Sequence, residues 1–185
     1  SARPHFAGID RCDSVVIDPH KWLFAPFDCC ALLYRRPEVA RLAHAQHASY
    51  LDPINAGSEW NPTDYGHFLT RRARGLPFWF SLAVHGTRAY SEAVERTLEV
   101  TRAGAVLVDA APHLDLIMDP VLSVLAFRRI GWEQADYDAW SVRLMEDGTA
   151  FVLPTQVDGE PALRICIVNP LTTVDDIDMI LDSLA

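Results

Sequence analysis

Lys21 is the residue whose side chain offers the clearest chemistry in this sequence. The chain contains 16 lysines and arginines, and Lys21 is its single lysine. A lysine amine can condense with an aldehyde if it loses its proton or if a neighbouring group stabilises the product. An arginine-rich composition leaves one lysine by chance just as readily, so the count alone does not separate a chemical role from a structural one.

The segment before Lys21 predicts where its amine lies. Residues 14–17 (SVVI) form a β-branched apolar run, typical of a strand that is buried on both faces, and Asp18-Pro19 ends it. Lys21 therefore follows the carboxyl end of a strand. Open α/β sheets bind their ligands at this edge, so both the type and the position of Lys21 favour a site.

The residues around Lys21 also resemble a known family. Asp18-Pro19-His20-Lys21-Trp22-Leu23, followed by Phe27-Asp28-Cys29, is similar to the lysine segment of group II pyridoxal-phosphate-dependent decarboxylases. The family includes aromatic-amino-acid, histidine and glutamate decarboxylases. The resemblance covers nearly the whole chain and continues through Ser49-Tyr50-Leu51-Asp52, Arg71-Arg72-Ala73-Arg74 and Phe78-Trp79-Phe80.

This resemblance implies a fold, a cofactor and an activity. The fold is α/β: residues 1–111 would be the end of a type I (aspartate aminotransferase-like) large domain, and residues 112–185 a small α+β domain. The cofactor would be pyridoxal 5'-phosphate, and the full-length enzyme would convert an L-amino acid, a small-molecule substrate, to its amine and carbon dioxide. Relatives of this kind also imply a homodimer.

The resemblance assigns roles to five residues. Lys21 would carry the cofactor as a Schiff base, and His20 would lie beside it near the phosphate. Asp18, where some relatives have Asn, is a weaker candidate for a cofactor contact, and it could simply terminate the strand. Tyr50 would return a proton to the substrate carbon from a mobile loop. Thr70 would approach the cofactor and the substrate.

Bland alternatives remain open for these side chains. His20 could be a loop histidine satisfied by backbone groups, and Tyr50 could be an exposed loop residue. The arginines at 71, 72 and 74 could clamp a phosphate or form ion pairs with acidic residues across a dimer. His44 and His47 lack a third ligand, so no metal site is predicted.

Composition excludes several other classes of function. The formal charge of −9 and the pI of about 5.1 disfavour nucleic-acid binding, and charged residues interrupt every apolar stretch that could span a membrane. The four cysteines have no repeated spacing, so reduced thiols and a cytoplasmic location are expected.

The chain resembles only the carboxy-terminal portion of this family. The acid that protonates the pyridine nitrogen, the residue that stacks on the ring and most of the phosphate loop have no match here. We therefore expect the segment alone to bind cofactor poorly, to lack turnover and to expose strand edges. Two other functions stay open: another pyridoxal-phosphate-dependent lyase or aldehyde synthase, and a non-catalytic dimerisation module.

Patterning predicts the remaining elements. Residues 47–75 are rich in Asn, Asp, Gly, Pro and Ser and predict a long irregular excursion. The spacing of apolar residues predicts helices over 38–46, 76–111 with a break at Gly86, 132–147 and 174–184, the last capped by Thr172 or Thr173. Strands are predicted at 30–34, 114–117, 123–127, 150–153 and 162–168, with a turn at Asp158-Gly159.

Overall fold

A computed structural model describes residues 1–46 and 61–185 of the chain. The structure divides into two compact units: one is Phe6–Val84, and the other joins Ser1–His5 to His85–Ala185. The boundary predicted between residues 111 and 112 separates two domains of a longer enzyme, and these two units do not test it. It therefore stays a prediction.

The first unit is built on two short strands, each followed by a helix. The elements are β1 (Ser14–Ile17), α1 (Pro19–Trp22), β2 (Ala31–Tyr34) and α2 (Pro37–His44), with 3-10 turns at Ile9–Arg11 and Pro62–Tyr65. Both helices have proline in their first turn, where the missing N–H costs no hydrogen bond. The predicted strands and the predicted helix after Pro37 are thus confirmed to within a few residues.

The strands β1 and β2 pair antiparallel. Ser14 lies opposite Tyr34 at one end of the ladder, and Ile17 lies opposite Ala31 at the other. The prediction that β1 is buried on both faces is wrong for this chain, since Val16 is 62% exposed. Among the described residues β1 pairs with β2 alone, so its apolar side chains are not covered as they would be inside a wider sheet.

The long helical segment α3 (Gly75–Ala110) contains the predicted break. Gly86 has φ 75° and ψ 160°, which is not a helical conformation. A residue without a β-carbon adopts this backbone at little cost, so Gly86 permits the chain to leave one helix and begin the next. The predicted helix pair with Gly86 between its members is therefore confirmed.

The second unit places helices on one face of a four-stranded antiparallel sheet. The strand order is β3-β4-β6-β5. The bounds are β3 (Leu114–Leu116), β4 (Val124–Arg129), α4 (Gln134–Glu146), β5 (Pro154–Val157), β6 (Glu160–Cys166) and α5 (Val174–Asp182).

The core of this unit lies where alternate strand residues meet the helices. Leu125 and Phe127 of β4 and Leu163 of β6 are fully buried, and they belong to one cluster with Trp140 of α4 and with residues of α3 and α5. Gly104 shows how closely α3 approaches: a β-carbon there would lie 3.1 Å from Ile177 Cγ2. This single hydrophobic layer holds the unit together.

The hairpin between β5 and β6 corrects one prediction. Asp158 and Gly159 both have positive φ and form a two-residue turn, as their sequence predicts. In a hairpin with a two-residue turn, the residues on either side of the turn pair with each other, so Val157 lies opposite Glu160. The strand β5 therefore occupies Pro154–Val157. The strand predicted at 150–153 is therefore wrong; of those residues Val152 is buried in the core without pairing as a strand.

The last helix begins at the predicted cap. The Thr173 hydroxyl accepts a hydrogen bond from the backbone N–H of Asp176, and the Asp176 carboxylate accepts one in return from the backbone N–H of Thr173. The hydrogen bond from the Thr173 backbone N–H lowers the pKa of the Asp176 carboxyl most, and one from the Thr173 hydroxyl lowers it further. The reciprocal pair satisfies two N–H groups that a helix start otherwise leaves open. No helix in the two described ranges is long and apolar enough to cross a membrane.

A pair of neighbouring substitutions in α4 tests where the core lies. Leu144 is 4% exposed and Met145 is 50% exposed. We expect Leu144→Ala to lower the free energy of unfolding by about 2–5 kcal/mol, because it leaves a cavity in the core. Met145→Ala, the matched control on the same helix, should change it by less than about 0.5 kcal/mol. Urea denaturation measures both, and equal losses would contradict the assigned core.

Candidate active site around Lys21

Lys21 lies in a single helical turn directly after β1. Its backbone N–H donates to the carbonyl of Asp18 at 3.0 Å, and its Nζ lies 2.7 Å from Asp18 Oδ2. The side chain of Lys21 is 67% exposed. The amine is therefore accessible from solvent and held at the end of the strand by one carboxylate.

His20 is fixed by the loop that returns to β2. Its backbone N–H donates to the carbonyl of Cys29 at 3.3 Å, and its ring Nδ1 lies 2.7 Å from the same oxygen. The ring of Phe27 packs edge-on against the imidazole, with centroids 5.3 Å apart. The open alternative for His20, contact with a backbone group, thus holds for Nδ1.

Asp18 uses its carboxylate for side chains and not for capping α1. Its side chain makes no cap hydrogen bond, although it stands at the cap position. The hydrogen bond from Lys21 lowers the pKa of Asp18 most, followed by the hydrogen bond from Cys30. Asp18 therefore links two elements. One is the helical turn α1, which carries Lys21, and the other is the segment at the start of β2, which contains Cys30.

Asp28 pairs with two arginines of the Arg71-Arg72-Ala73-Arg74 cluster. Its Oδ1 lies 2.7 Å from Arg74 Nε and 3.3 Å from Arg72 Nη2. The hydrogen bond from Arg74 is the main cause that lowers the pKa of Asp28 from 3.8 to about 2. The acidic partner of these arginines thus lies within the same chain.

The other members of that segment do not join the contacts of Lys21. Arg71 donates a hydrogen bond to the carbonyl of Pro62. Thr70 is exposed, and within the described ranges it forms no hydrogen bond with Asp18, His20 or Lys21. Tyr50 and His47 lie outside the described residues.

His44 takes part in a separate aromatic contact. Its Nε2 lies 3.2 Å from the hydroxyl of Tyr34, and its ring packs edge-on against His67 at 5.2 Å. Residues 1–46 and 61–185 contain no group of three or more His, Cys, Asp and Glu side chains that could hold a metal ion.

A cavity of about 540 Å³ lies in the second unit, and no candidate site residue within 1–46 or 61–185 lines it. It is lined by the 149–155 segment, β6 and α5. Concave shape alone would direct attention to this cavity. The side chains that could take part in chemistry, however, lie around the exposed amine of Lys21.

Sequence reasoning missed Asp28 and Cys30 as members of this site. Asp28 is part of the Phe27-Asp28-Cys29 motif, but the sequence predicted no role for its carboxylate. Cys30 could have been found from pairing: if Ile17 lies opposite Ala31, then Asp18 and Cys30 are opposite each other one step further along the ladder.

The residues present fit part of a pyridoxal phosphate site. A primary amine that is accessible and positioned by a carboxylate suits capture of an aldehyde. Arg72 and Arg74 share the single carboxylate of Asp28, so only one net positive charge remains there for a phosphate. The described residues thus supply an attachment point and not a complete phosphate-binding site.

Lowering the pH should weaken the contact between Asp28 and its arginines. Because the pKa of Asp28 is depressed in the folded chain, this contact stabilises the fold fully above 3.8 and loses its effect as the pH falls towards about 2. We expect wild type and Asp28→Asn to differ in urea midpoint at about pH 5 and to converge towards about pH 2. Asp115→Asn, which removes an exposed carboxyl with no described ion pair, should show no such convergence.

Comparison with known proteins identifies the family. The model of the "pyridoxal-dependent decarboxylase conserved domain" matches residues 1–130. An aromatic-L-amino-acid decarboxylase of Bacillus atrophaeus is 28% identical over 91% of this chain and 37% of its own length. An L-2,4-diaminobutyrate decarboxylase of Rhizobium meliloti is 31% identical over 98% of this chain and 38% of its own length.

Solved structures agree on the fold. The structure of Oryza sativa TDC with PLP and tryptamine matches 98% of this chain and 40% of that protein, with a TM-score of 0.85 and 23% identity. Mouse CSAD matches 99% of this chain and 41% of that protein, with a TM-score of 0.83 and 21% identity. The predicted α/β, type I fold of the family is confirmed.

The chain spans less than two fifths of the length of these two curated relatives. The family match nevertheless covers most of the chain and includes Lys21 with its neighbours Asp18, His20 and Asp28. The resemblance read from the lysine segment is therefore confirmed: this chain belongs to the pyridoxal-dependent decarboxylase family.

Proposed function

We propose that the complete polypeptide containing this chain is a pyridoxal-phosphate-dependent decarboxylase that converts an L-amino acid to its amine and carbon dioxide. Lys21 is the attachment point of the cofactor. The observation that supports this proposal most is the accessible Lys21 amine, held 2.7 Å from Asp18 directly after β1. Membership of the decarboxylase family supplies the reaction class.

Lys21 acts as the nucleophile towards an aldehyde carbon. Its amine must first give up a proton, because only the neutral form has a free electron pair. Asp18 holds the charged form at the strand end and keeps the side chain directed to one place. Lys21 would hold the cofactor between turnovers, and its amine, when not bonded to the cofactor, could accept or donate a proton.

Pyridoxal phosphate, when bound, supplies an electron sink: it takes up the electron pair left on the substrate carbon when the carboxylate departs as carbon dioxide. The protein decides which substrate bond breaks by how it orients that carboxylate. In this chain the orienting framework near Lys21 is the turn α1, which His20 ties to the 26–30 loop through the carbonyl of Cys29. The place of His20 beside the cofactor rests on the family resemblance, because the contacts of its backbone and Nδ1 are with the Cys29 carbonyl.

Several finer assignments rest on the family resemblance. Tyr50 would protonate the substrate carbon, and Thr70 would contact the cofactor or substrate. Residues 1–111 would complete a large domain, and residues 112–185 would form the small one. The enzyme would be a homodimer. Unpaired thiols at all four cysteines support a cytoplasmic location, where thiols stay reduced.

Reductive trapping tests the role of Lys21. We expect borohydride treatment of the complete polypeptide loaded with pyridoxal phosphate to label Lys21, as identified by peptide mass spectrometry. Lys21→Ala should lose the label and slow amine production by more than about 1,000-fold, the scale on which loss of a nucleophile acts. A wild-type Lys21 left unlabelled under these conditions would sink the proposal, as would full activity in the variant.

Product analysis tests the role of Tyr50. If its phenol returns the proton, Tyr50→Phe should lower the yield of amine by about 100-fold or more and divert substrate to aldehyde, with dioxygen as the oxidant reduced to peroxide and ammonia released. Amine, aldehyde, carbon dioxide and peroxide are measured together. Tyr65→Phe, a tyrosine outside the proposed site, is the control. Unchanged amine output in Tyr50→Phe would remove Tyr50 from the mechanism, and aldehyde from the wild type would indicate an aldehyde synthase instead.

A further inference from the structure

The pairing of β1 with β2 places Cys30 opposite Asp18. The last paired residues are Ile17 and Ala31, and one further step along the antiparallel ladder brings Asp18 and Cys30 face to face. Side chains directly opposite each other in such a pair have β-carbons about 4.5–5.5 Å apart. The Cys30 thiol and the Asp18 carboxylate are accordingly close enough to shift each other's pKa: Cys30 lowers that of Asp18, and Asp18 raises that of Cys30.

The same carboxylate holds Lys21. Asp18 Oδ2 lies 2.7 Å from Lys21 Nζ, three residues along the chain. Cys30, Asp18 and Lys21 therefore form a cluster, here called the Asp18 triad, in which one carboxylate joins a thiol to the amine.

The charges around the triad show that its members affect one another. Loss of hydration raises the pKa of Cys30 most, and the hydrogen bond to Asp18 raises it further, whereas the positive charge of Lys21 lowers it. Two other titratable groups act on the triad: Cys29 on Cys30, and His20 on Asp18. A change at Lys21 thus reaches Cys30 through space and through Asp18.

We propose that Cys30 is a positioning residue for Lys21 and acts through the carboxylate of Asp18. This inference rests on the proposed role of Lys21 as the cofactor attachment point. When the Lys21 nitrogen is bonded to a carbonyl carbon, it has fewer N–H groups to donate to Asp18. The thiol of Cys30 then remains as a donor that keeps the carboxylate in place, ready to receive the amine when it is released.

The pH dependence of Cys30 alkylation tests the triad without any cofactor. Iodoacetamide labelling of the complete polypeptide is followed by peptide mass spectrometry. We expect the midpoint of Cys30 labelling to fall by about 0.5 pH unit in Asp18→Asn and to rise by a similar amount in Lys21→Met. Cys12, an exposed thiol in the same sample, is the internal control and should not move. Wild-type midpoints in both variants would overturn the proposal.

Cofactor capture tests the positioning itself. The rate at which Lys21 captures pyridoxal phosphate is measured by borohydride trapping in wild type, Cys30→Ala and Cys30→Ser. We expect capture to slow by about fivefold in Cys30→Ala, the effect of one lost hydrogen bond, and to recover in Cys30→Ser, which keeps a donor. Equal rates in Cys30→Ala and Cys30→Ser would overturn the proposal.

The two experiments separate the two proposals. If wild-type Lys21 captures no cofactor, the proposed function fails, and the alkylation midpoints still decide whether Asp18 links Cys30 to Lys21. If Lys21 captures cofactor equally in all three proteins, the role of Cys30 fails and the proposed function stands. Matching thermal unfolding temperatures for Cys30→Ala and Cys30→Ser exclude misfolding as the cause of any difference.

Discussion

The antiparallel pairing of β1 with β2 is the constraint on which the candidate site depends. The ladder ends at Ile17 and Ala31, and the chain between those residues must turn back over a short distance. That return brings the carbonyl of Cys29 to His20 and the side chain of Cys30 to Asp18. Lys21 is carried on the intervening helical turn, so its position follows from a backbone pairing and not from its own contacts alone.

Two carboxylates organise the charges around this turn. Asp18 holds the Lys21 amine, and Asp28 holds Arg72 and Arg74. Three cations share two carboxylates, so the ion pairs leave the cluster with one net positive charge. The ion pair of Asp18 with Lys21 places a single amine, and binding of the cofactor phosphate needs groups beyond these residues.

The second unit is held together by a hydrophobic core and not by ion pairs of the kind found around Lys21. Alternate residues of β4 and β6 face the helices, and Gly104 allows α3 to approach the sheet closely. None of the described residues assigned to the chemistry of Lys21 lies in this core. The unit gives the chain a stable body, whereas the chemistry belongs to the short, exposed elements of the first unit.

The sequence by itself determined the type of chemistry and most elements. A single lysine after a β-branched run, the glycine at 86 and the Asp158-Gly159 turn are local signals, because backbone preference and neighbouring residues suffice to produce them. Tertiary structure decided strand register and side-chain partners, which local signals do not determine. The strand predicted at 150–153 moved to Pro154–Val157 because hairpin register is set by the partner strand. The pairing of Asp28 with arginines more than 40 residues away, and the sharing of Asp18 by Lys21 and Cys30, likewise arise only when distant segments meet, since a side chain's partner depends on the fold of the whole chain.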